Sequence, residues 1–193
     1  MFIKDIYSHK DGEKFIRDNH PKELDDIFEA VASLDVREVF SKSSLEVNKP
    51  SIVFSPIAIN KGLKNFLCDR GWTRRTDVGR KGFVEPRLKL SHKEFRELDG
   101  LKNKVGLEVQ FGKYSFMAYD IFTKMPIFAN RGLIDCGIEI VASAKMIKYM
   151  STGVGSYTQI VTDMRERGVA DIDIPTIVIG LDCTNKEYQT VGI

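Results

Sequence analysis

The stretch that most restricts the fold is Ile177-Val178-Ile179-Gly180-Leu181. Five consecutive residues without a polar side chain read as a β-strand buried on both faces, and such a strand needs a covering layer on each side of its sheet. Two other segments alternate. Val105, Leu107, Val109 and Phe111 are interleaved with Gly106, Glu108 and Gln110, and Ile134, Cys136, Ile138 and Ile140 follow the same pattern. Period two predicts strands, with Glu108 and Gln110 projecting together from the face opposite the apolar set.

Helices are predicted around these strands. Pro21 presets the first turn of a helix over residues 21–34, whose apolar stripe is Leu24, Ile27, Phe28, Val31 and Leu34. Ser55 as N-cap, Pro56 behind it and Gly71 beyond the end bracket a second helix with Ile59, Leu63, Phe66 and Leu67 on its buried side. Helical character is also expected at about 116–124 and 144–150. Residues 71–82 are glycine-punctuated and basic, and read as an irregular loop or weak hairpin, either solvated or holding phosphates. Strands with helices before, between and around them give an α/β or α+β sheet sandwiched by helices. The 193 residues show no internal repeat or low-complexity linker, which predicts one domain.

Composition narrows the function classes. Disordered and collagen-like chains are excluded by 42% hydrophobic residues and only 6 prolines and 15 glycines. No apolar run approaches the roughly 20 residues of a membrane span, so no membrane partner is expected. The charged start, Met1 to Phe15, does not read as a secretory signal. Cys68, Cys136 and Cys183 are far apart, which fits three reduced, buried thiols and a cytoplasmic location. Charge is unevenly placed: residues 61–104 hold 13 Lys/Arg against 6 Asp/Glu, while both flanks are acidic. A basic middle in a chain of net charge +2 points to an anionic partner gripped at one place, or to a solvated lysine-rich surface.

Asp99, Glu108 and Gln110 are the residues that suggest chemistry. A carboxylate at a turn and another on the following strand can converge on one hard cation, and the side chain two residues further points the same way. Two acidic oxygens leave room in an octahedral Mg²⁺ shell for water and a phosphate oxygen. The same residues also suit an ordinary half-exposed strand. His9, His20 and His92 show neither metal spacing nor a nucleophile partner, and read as structural or surface residues.

The wider segment Lys104-Val-Gly-Leu-Glu108-Val-Gln110-Phe-Gly-Lys113-Tyr-Ser-Phe-Met-Ala-Tyr-Asp120 resembles type II restriction endonucleases of the BglII/BstYI group, BstYI most. The group has the same E-V-Q-F-x-x-Y-x-F string, with an aspartate at the same nine-residue distance. Similarity continues through 135–140 and 150–157, with shorter echoes at 6–10 and 54–60, so it covers most of the chain to about Asp182. It is weakest over 73–98. The resemblance implies a PD-(D/E)xK core, a central mixed β-sheet flanked by helices. Two positions depart from the general pattern: Leu98 rather than proline precedes Asp99, and Gln110 stands where lysine is usual, the second being shared with the BglII/BstYI group.

The resemblance implies Mg²⁺-dependent hydrolysis of double-stranded DNA, leaving 5′-phosphate ends. Asp99 and Glu108 would bind the metal, joined by the Val109 carbonyl. Gln110 would orient the attacking water through its amide oxygen, since an amide takes no proton. Bases would be read by Gly112 and Lys113 and by the loop Ser151, Thr152, Gly153, Gly155, Ser156 and Tyr157. A surface lysine and a plain surface turn are the alternatives for these two places. The target implied is a GATC-centred palindrome (RGATCY-like), and a palindrome implies a homodimer. A DNA methyltransferase of matching specificity is the expected genetic partner. The segment Tyr114, Phe116, Met117, Tyr119, Ile121 and Phe122 could serve the dimer interface, although helical core suits most of it better. Two rivals remain: a repair or junction-cleaving nuclease of the same fold, and a DNA-binding protein that reads a site without cutting.

Overall fold

The computed structural model describes residues 1–73, 75–76, 83–84 and 87–193. Eleven strands and eight α-helices are found among the described residues. The strands are β1 (Phe2–His9), β2 (Phe40–Ser43), β3 (Ile52–Phe54), β4 (Arg75–Thr76), β5 (Phe83–Val84), β6 (Arg87–Lys89), β7 (Phe95–Glu97), β8 (Gly100–Lys102), β9 (Val105–Val109), β10 (Cys136–Ala142) and β11 (Thr176–Asp182). The helices are α1 (Gly12–Asn19), α2 (Pro21–Ala32), α3 (Val36–Val39), α4 (Pro56–Asp69), α5 (Tyr114–Tyr119), α6 (Met125–Asn130), α7 (Tyr157–Arg167) and α8 (Asn185–Thr190).

Five strands make the central sheet, in the order β1-β11-β10-β9-β8. The three central strands are parallel, and the edge strands β1 and β8 run antiparallel to their neighbours. The sheet is therefore mixed, with helices on both faces. Every residue of β9, β10 and β11 is buried. On one face Val105, Leu107 and Val109 pack with Leu63 and Leu67 of α4 and Leu24, Ile27 and Val31 of α2. On the other, Val141 and Val178 meet Met117, Ile121, Ile160 and Met164.

Ser55 caps α4 as its side chain suggests, accepting from the Ala58 N–H at 3.2 Å, and Gly71 follows the helix at φ 81°. Asn103 and Lys104, at φ 45° and 71°, form the two-residue turn that joins β8 to β9. That left-handed pair matches the right-handed twist of the hairpin strands. Of the basic 71–82 segment, residues 75–76 pair with 83–84, while Arg74 and 77–82 lie outside the described residues.

Several expectations need correction. Strand β9 is covered on both sides rather than half exposed, because helices pack on each face of the sheet. The helix expected at 116–124 starts at Tyr114 and continues to Asn130, with a π-helical turn at Asp120–Lys124. Pro126 accounts for the wide turn, since it has no N–H to return to the preceding turn and its ring crowds the carbonyl there. Residues 144–150 contain only a short 3₁₀ turn, Met146–Tyr149. Cys136 and Cys183 are buried but Cys68 is only half-buried, and all three are free thiols. Phe116, expected in a helical core, is 52% exposed. Strand β1 was not legible as a strand: its charged residues face outward at a sheet edge, where alternation is weak.

Candidate active site and adjoining loops

Asp99 sits between β7 and β8, beside the β9 strand that carries Glu108. Its Oδ2 accepts a hydrogen bond from the Val109 N–H at 2.9 Å. This single bond fixes the carboxylate against β9, ten residues downstream, and leaves Oδ1 for another partner. Oδ1 accepts from Lys64 Nζ of α4 at 2.7 Å.

Glu108 is 3% exposed. Lys124 Nζ, from the π-helical turn, lies 2.6 Å from Glu108 Oε1 and 2.7 Å from Asp120 Oδ1. The wide turn puts Asp120 and Lys124 side by side under the end of β9. Burial pushes the Glu108 carboxyl well above the usual glutamate range, Asp99 and Asp120 push it further, and Lys124 draws it back. Asp120 is raised in the same way, first by burial, against Lys124 and Gln110.

Gln110 is held at both ends of its amide. Nε2 donates to Asp120 Oδ2 at 3.2 Å and Oε1 accepts from the Gly112 N–H at 2.8 Å. Gly112 permits that approach, because a Cβ there would stand 2.7 Å from Gln110 Oε1. Glutamine at this position therefore links the carboxylate cluster to the first residue of the expected base-reading segment.

Glu139 of β10 is the Cα partner of Glu108 across the parallel β9–β10 pair, so both side chains leave the sheet on one face. Glu139 is fully buried, and neither carboxylate oxygen has a hydrogen-bond partner. Burial, then Asp120 and Glu108, hold its carboxyl well above the ordinary range.

The two segments expected to read bases meet each other. Lys113 and Val154 form an antiparallel bridge, and the Gly155 N–H donates to the Gly112 carbonyl at 3.1 Å. Gly153 turns the loop at φ 87°. Thr152 and Gly153 are exposed and Ser151 is half-buried. The Ser151 hydroxyl accepts from Lys42 Nζ at 2.5 Å, and the Thr152 N–H donates to Glu46 Oε1 at 3.0 Å. The arm between β2 and β3 thus rests on this loop. Gly155 and Ser156 are buried, and Ser156 is the N-cap of α7 in a capping box with Gln159. Tyr157 is half-buried, its ring over Gly180.

Sequence reasoning did not single out Lys64, Asp120, Lys124 or Glu139. Glu139 carried a usable signal, an acid inside the apolar run 136–142, since a buried glutamate is rare without a partner. Asp120 and Lys124 sit four apart on a helical segment, which reads as a routine surface pair. Lys64 carried no signal among the other lysines of 61–104. His9 is buried, with Nε2 2.9 Å from Asp173 Oδ2, in keeping with a structural role.

The donor set is oxygen only, which suits a hard divalent cation. Asp99 and Glu108 offer carboxylates, and the like-charged neighbours that raise Glu108 are what a cation would neutralise. Among the described residues no three His, Cys, Asp or Glu side chains form a ready-made metal cluster; ammonium groups stand on the carboxylate oxygens instead. No described helix is long and apolar enough to cross a membrane.

Comparison with known proteins gives two findings. The family model for restriction endonuclease BglII/BglIII matches residues 4–181. Among solved structures, restriction endonuclease BglII complexed with a DNA 16-mer superimposes with a TM-score of 0.72 at 17% identity, covering 93% of this chain and 78% of that one. Free BglII gives a TM-score of 0.64 at 17% identity, with 93% and 79% covered. At that identity the likeness concerns the fold. A search of curated protein sequences finds no match.

Proposed function

The chain belongs to the BglII/BglIII restriction endonuclease family, and on that premise we propose that this site-specific DNA endonuclease is a Mg²⁺-dependent type II enzyme acting at a GATC-centred palindrome. The RGATCY-like form of the target rests on the likeness of the 104–120 string to BstYI. A palindrome is served by a homodimer, with one site per strand. A methyltransferase of the same specificity would protect the host DNA.

The Asp99–Val109 hydrogen bond supports this reading most directly, because it ties the upstream carboxylate to the strand bearing Glu108. Asp99, Glu108 and the Val109 carbonyl would hold the ion. Bound there, Mg²⁺ would supply positive charge at the scissile phosphate and acidify the attacking water. Gln110 keeps its amide fixed through Gly112 and Asp120, and the remaining lone pair on Oε1 would orient the water. Lys113 is exposed, and it would donate to a base edge or a phosphate. Ser151, Thr152 and Gly153 would approach the same groove, while Gly155, Ser156 and Tyr157 would shape the loop from beneath.

The test is digestion of long, unmethylated linear DNA with Mg²⁺ beside an EDTA control, followed by sequencing of the fragment ends. Discrete fragments sharing a GATC-centred palindrome are expected. Fragments with another shared end sequence would overturn the specificity, and intact DNA in both conditions would overturn cleavage of unmodified duplex. A gel shift in Ca²⁺ would then distinguish a binding-only protein from a nuclease of branched DNA.

A further inference from the structure

Each carboxylate assigned to the metal already carries an ammonium group. Lys64 Nζ donates to Asp99 Oδ1 at 2.7 Å, and Lys124 Nζ stands 2.6 Å from Glu108 Oε1. The two lysines reach the site from opposite faces of the sheet, one from α4 and the other from the π-helical turn. Together they bring two positive charges, the charge of one divalent cation.

The oxygens they touch are the ones a cation would need. Asp99 Oδ2 is held by a backbone donor, the Val109 N–H, whereas Oδ1 is held by a long side chain that can move aside, so Oδ1 is the oxygen a cation can take over. Glu108 is buried, and the ammonium of Lys124 stands 2.6 Å from its Oε1. Around them Asp120 and Glu139 add two more acids, and Glu139 has neither oxygen partnered. Four acids this close repel each other without cations among them. The lysine side chains are also restrained: Lys124 is 12% exposed and bridges Glu108 to Asp120, and Lys64 is 24% exposed.

Taking Asp99 and Glu108 as the metal ligands, we propose that Lys64 and Lys124 are a built-in counterion pair. They hold the two carboxylates in place in the metal-free protein, and a divalent cation binds by displacing them from Asp99 Oδ1 and Glu108 Oε1. Lys124 retains Asp120 as its second partner when it yields. The two lysines are positioning residues that act through the carboxylates.

The experiment follows the thermal midpoint of the full-length protein in EDTA and at rising Ca²⁺, without DNA, so that the apparent Ca²⁺ affinity is read from the ligand-induced shift. Lys64→Met and Lys124→Met are each expected to melt below wild type in EDTA and to bind Ca²⁺ about tenfold more tightly, the scale of removing one nearby competing charge. Lys124→Arg keeps the charge and should match wild type within about twofold. Lys102→Met breaks a remote pair with Asp26; it should lower the midpoint without moving the Ca²⁺ affinity. Unchanged or weaker Ca²⁺ binding in both Met variants would overturn the proposal. Should those variants fail to fold, Asp120→Asn removes the second partner of Lys124 and should weaken Ca²⁺ binding severalfold; unchanged affinity there overturns it as well. Glu108→Gln should abolish the Ca²⁺ shift; a wild-type shift in that variant would show that the ligand assignment itself had failed.

Discussion

Glu108 and Glu139 are directly opposite each other on the parallel strands β9 and β10, both buried and both on the same face. Two glutamates so placed cannot both be charged cheaply in the absence of cations. Lys124 reaches the first; the second has no hydrogen-bond partner.

Glu139→Gln should therefore stabilise the metal-free protein near pH 8. The folded-state carboxyl lies well above the ordinary value of 4.5, through burial first and then Asp120 and Glu108. A raised carboxyl leaves stability intact below the unfolded value and removes it as pH rises through the folded one. Melting in EDTA across pH should show the variant above wild type at alkaline pH, with the gap closing toward pH 4.5 and below. A variant that melts lower at pH 8 would mean that the charged form is the one favoured by the fold.

Glu108→Ala should abolish DNA cleavage while leaving sequence-specific DNA binding largely intact. On the proposed assignment the Glu108 carboxylate would hold the metal, whereas the segments proposed to read bases lie beyond Gln110. Cleavage assays in Mg²⁺ beside gel shifts with the specific duplex in Ca²⁺ separate the two functions. Retained cutting would sink the assignment.

Gly112→Ala is expected to damage activity without damaging the fold. The added methyl would lie 2.7 Å from Gln110 Oε1, and the end of a glutamine side chain can move aside. Stability should stay within about 0.5 kcal/mol of wild type. The displaced amide should lower the cleavage rate by about 10²-fold, the scale of an ångström-sized misplacement. Paired melting and rate measurements decide; full activity would show that the water does not depend on Gln110 being held.

Asp173→Asn should expose the pH dependence of a second cluster, formed by His9, Arg167 and Asp173. Burial pushes the Asp173 carboxyl up, but paired bonds from Arg167 at 2.6 and 2.8 Å, the Ala170 N–H and His9 outweigh it, and the group lies well below the usual aspartate range. A depressed carboxyl contributes stability above its unfolded value and loses it as pH falls through the folded value. The substitution should cost about 3 kcal/mol near pH 7. Denaturant melts at decreasing pH should show that cost shrinking in strong acid; a constant difference would assign the effect to packing alone.

The sequence alone determined the elements whose signals are local. Helix α4 is bounded by Ser55, Pro56 and Gly71, and β11 is an uninterrupted apolar run, so capping and burial are written in adjacent residues. The linear string around Glu108 likewise revealed the nuclease resemblance and the trio Asp99, Glu108 and Gln110. Only the tertiary structure decided what surrounds that trio. Lys64, Asp120 and Lys124 are unremarkable where they stand, and Glu139 shows only as an acid within an apolar run; a parallel strand pair, a proline-widened helical turn and an opposing helix bring them to the same carboxylates. The same holds for Gly112–Lys113 and Val154–Gly155, joined by a bridge across about forty residues. Electrostatic partnership depends on distance in space, and sequence spacing encodes that distance only within one helix or one strand.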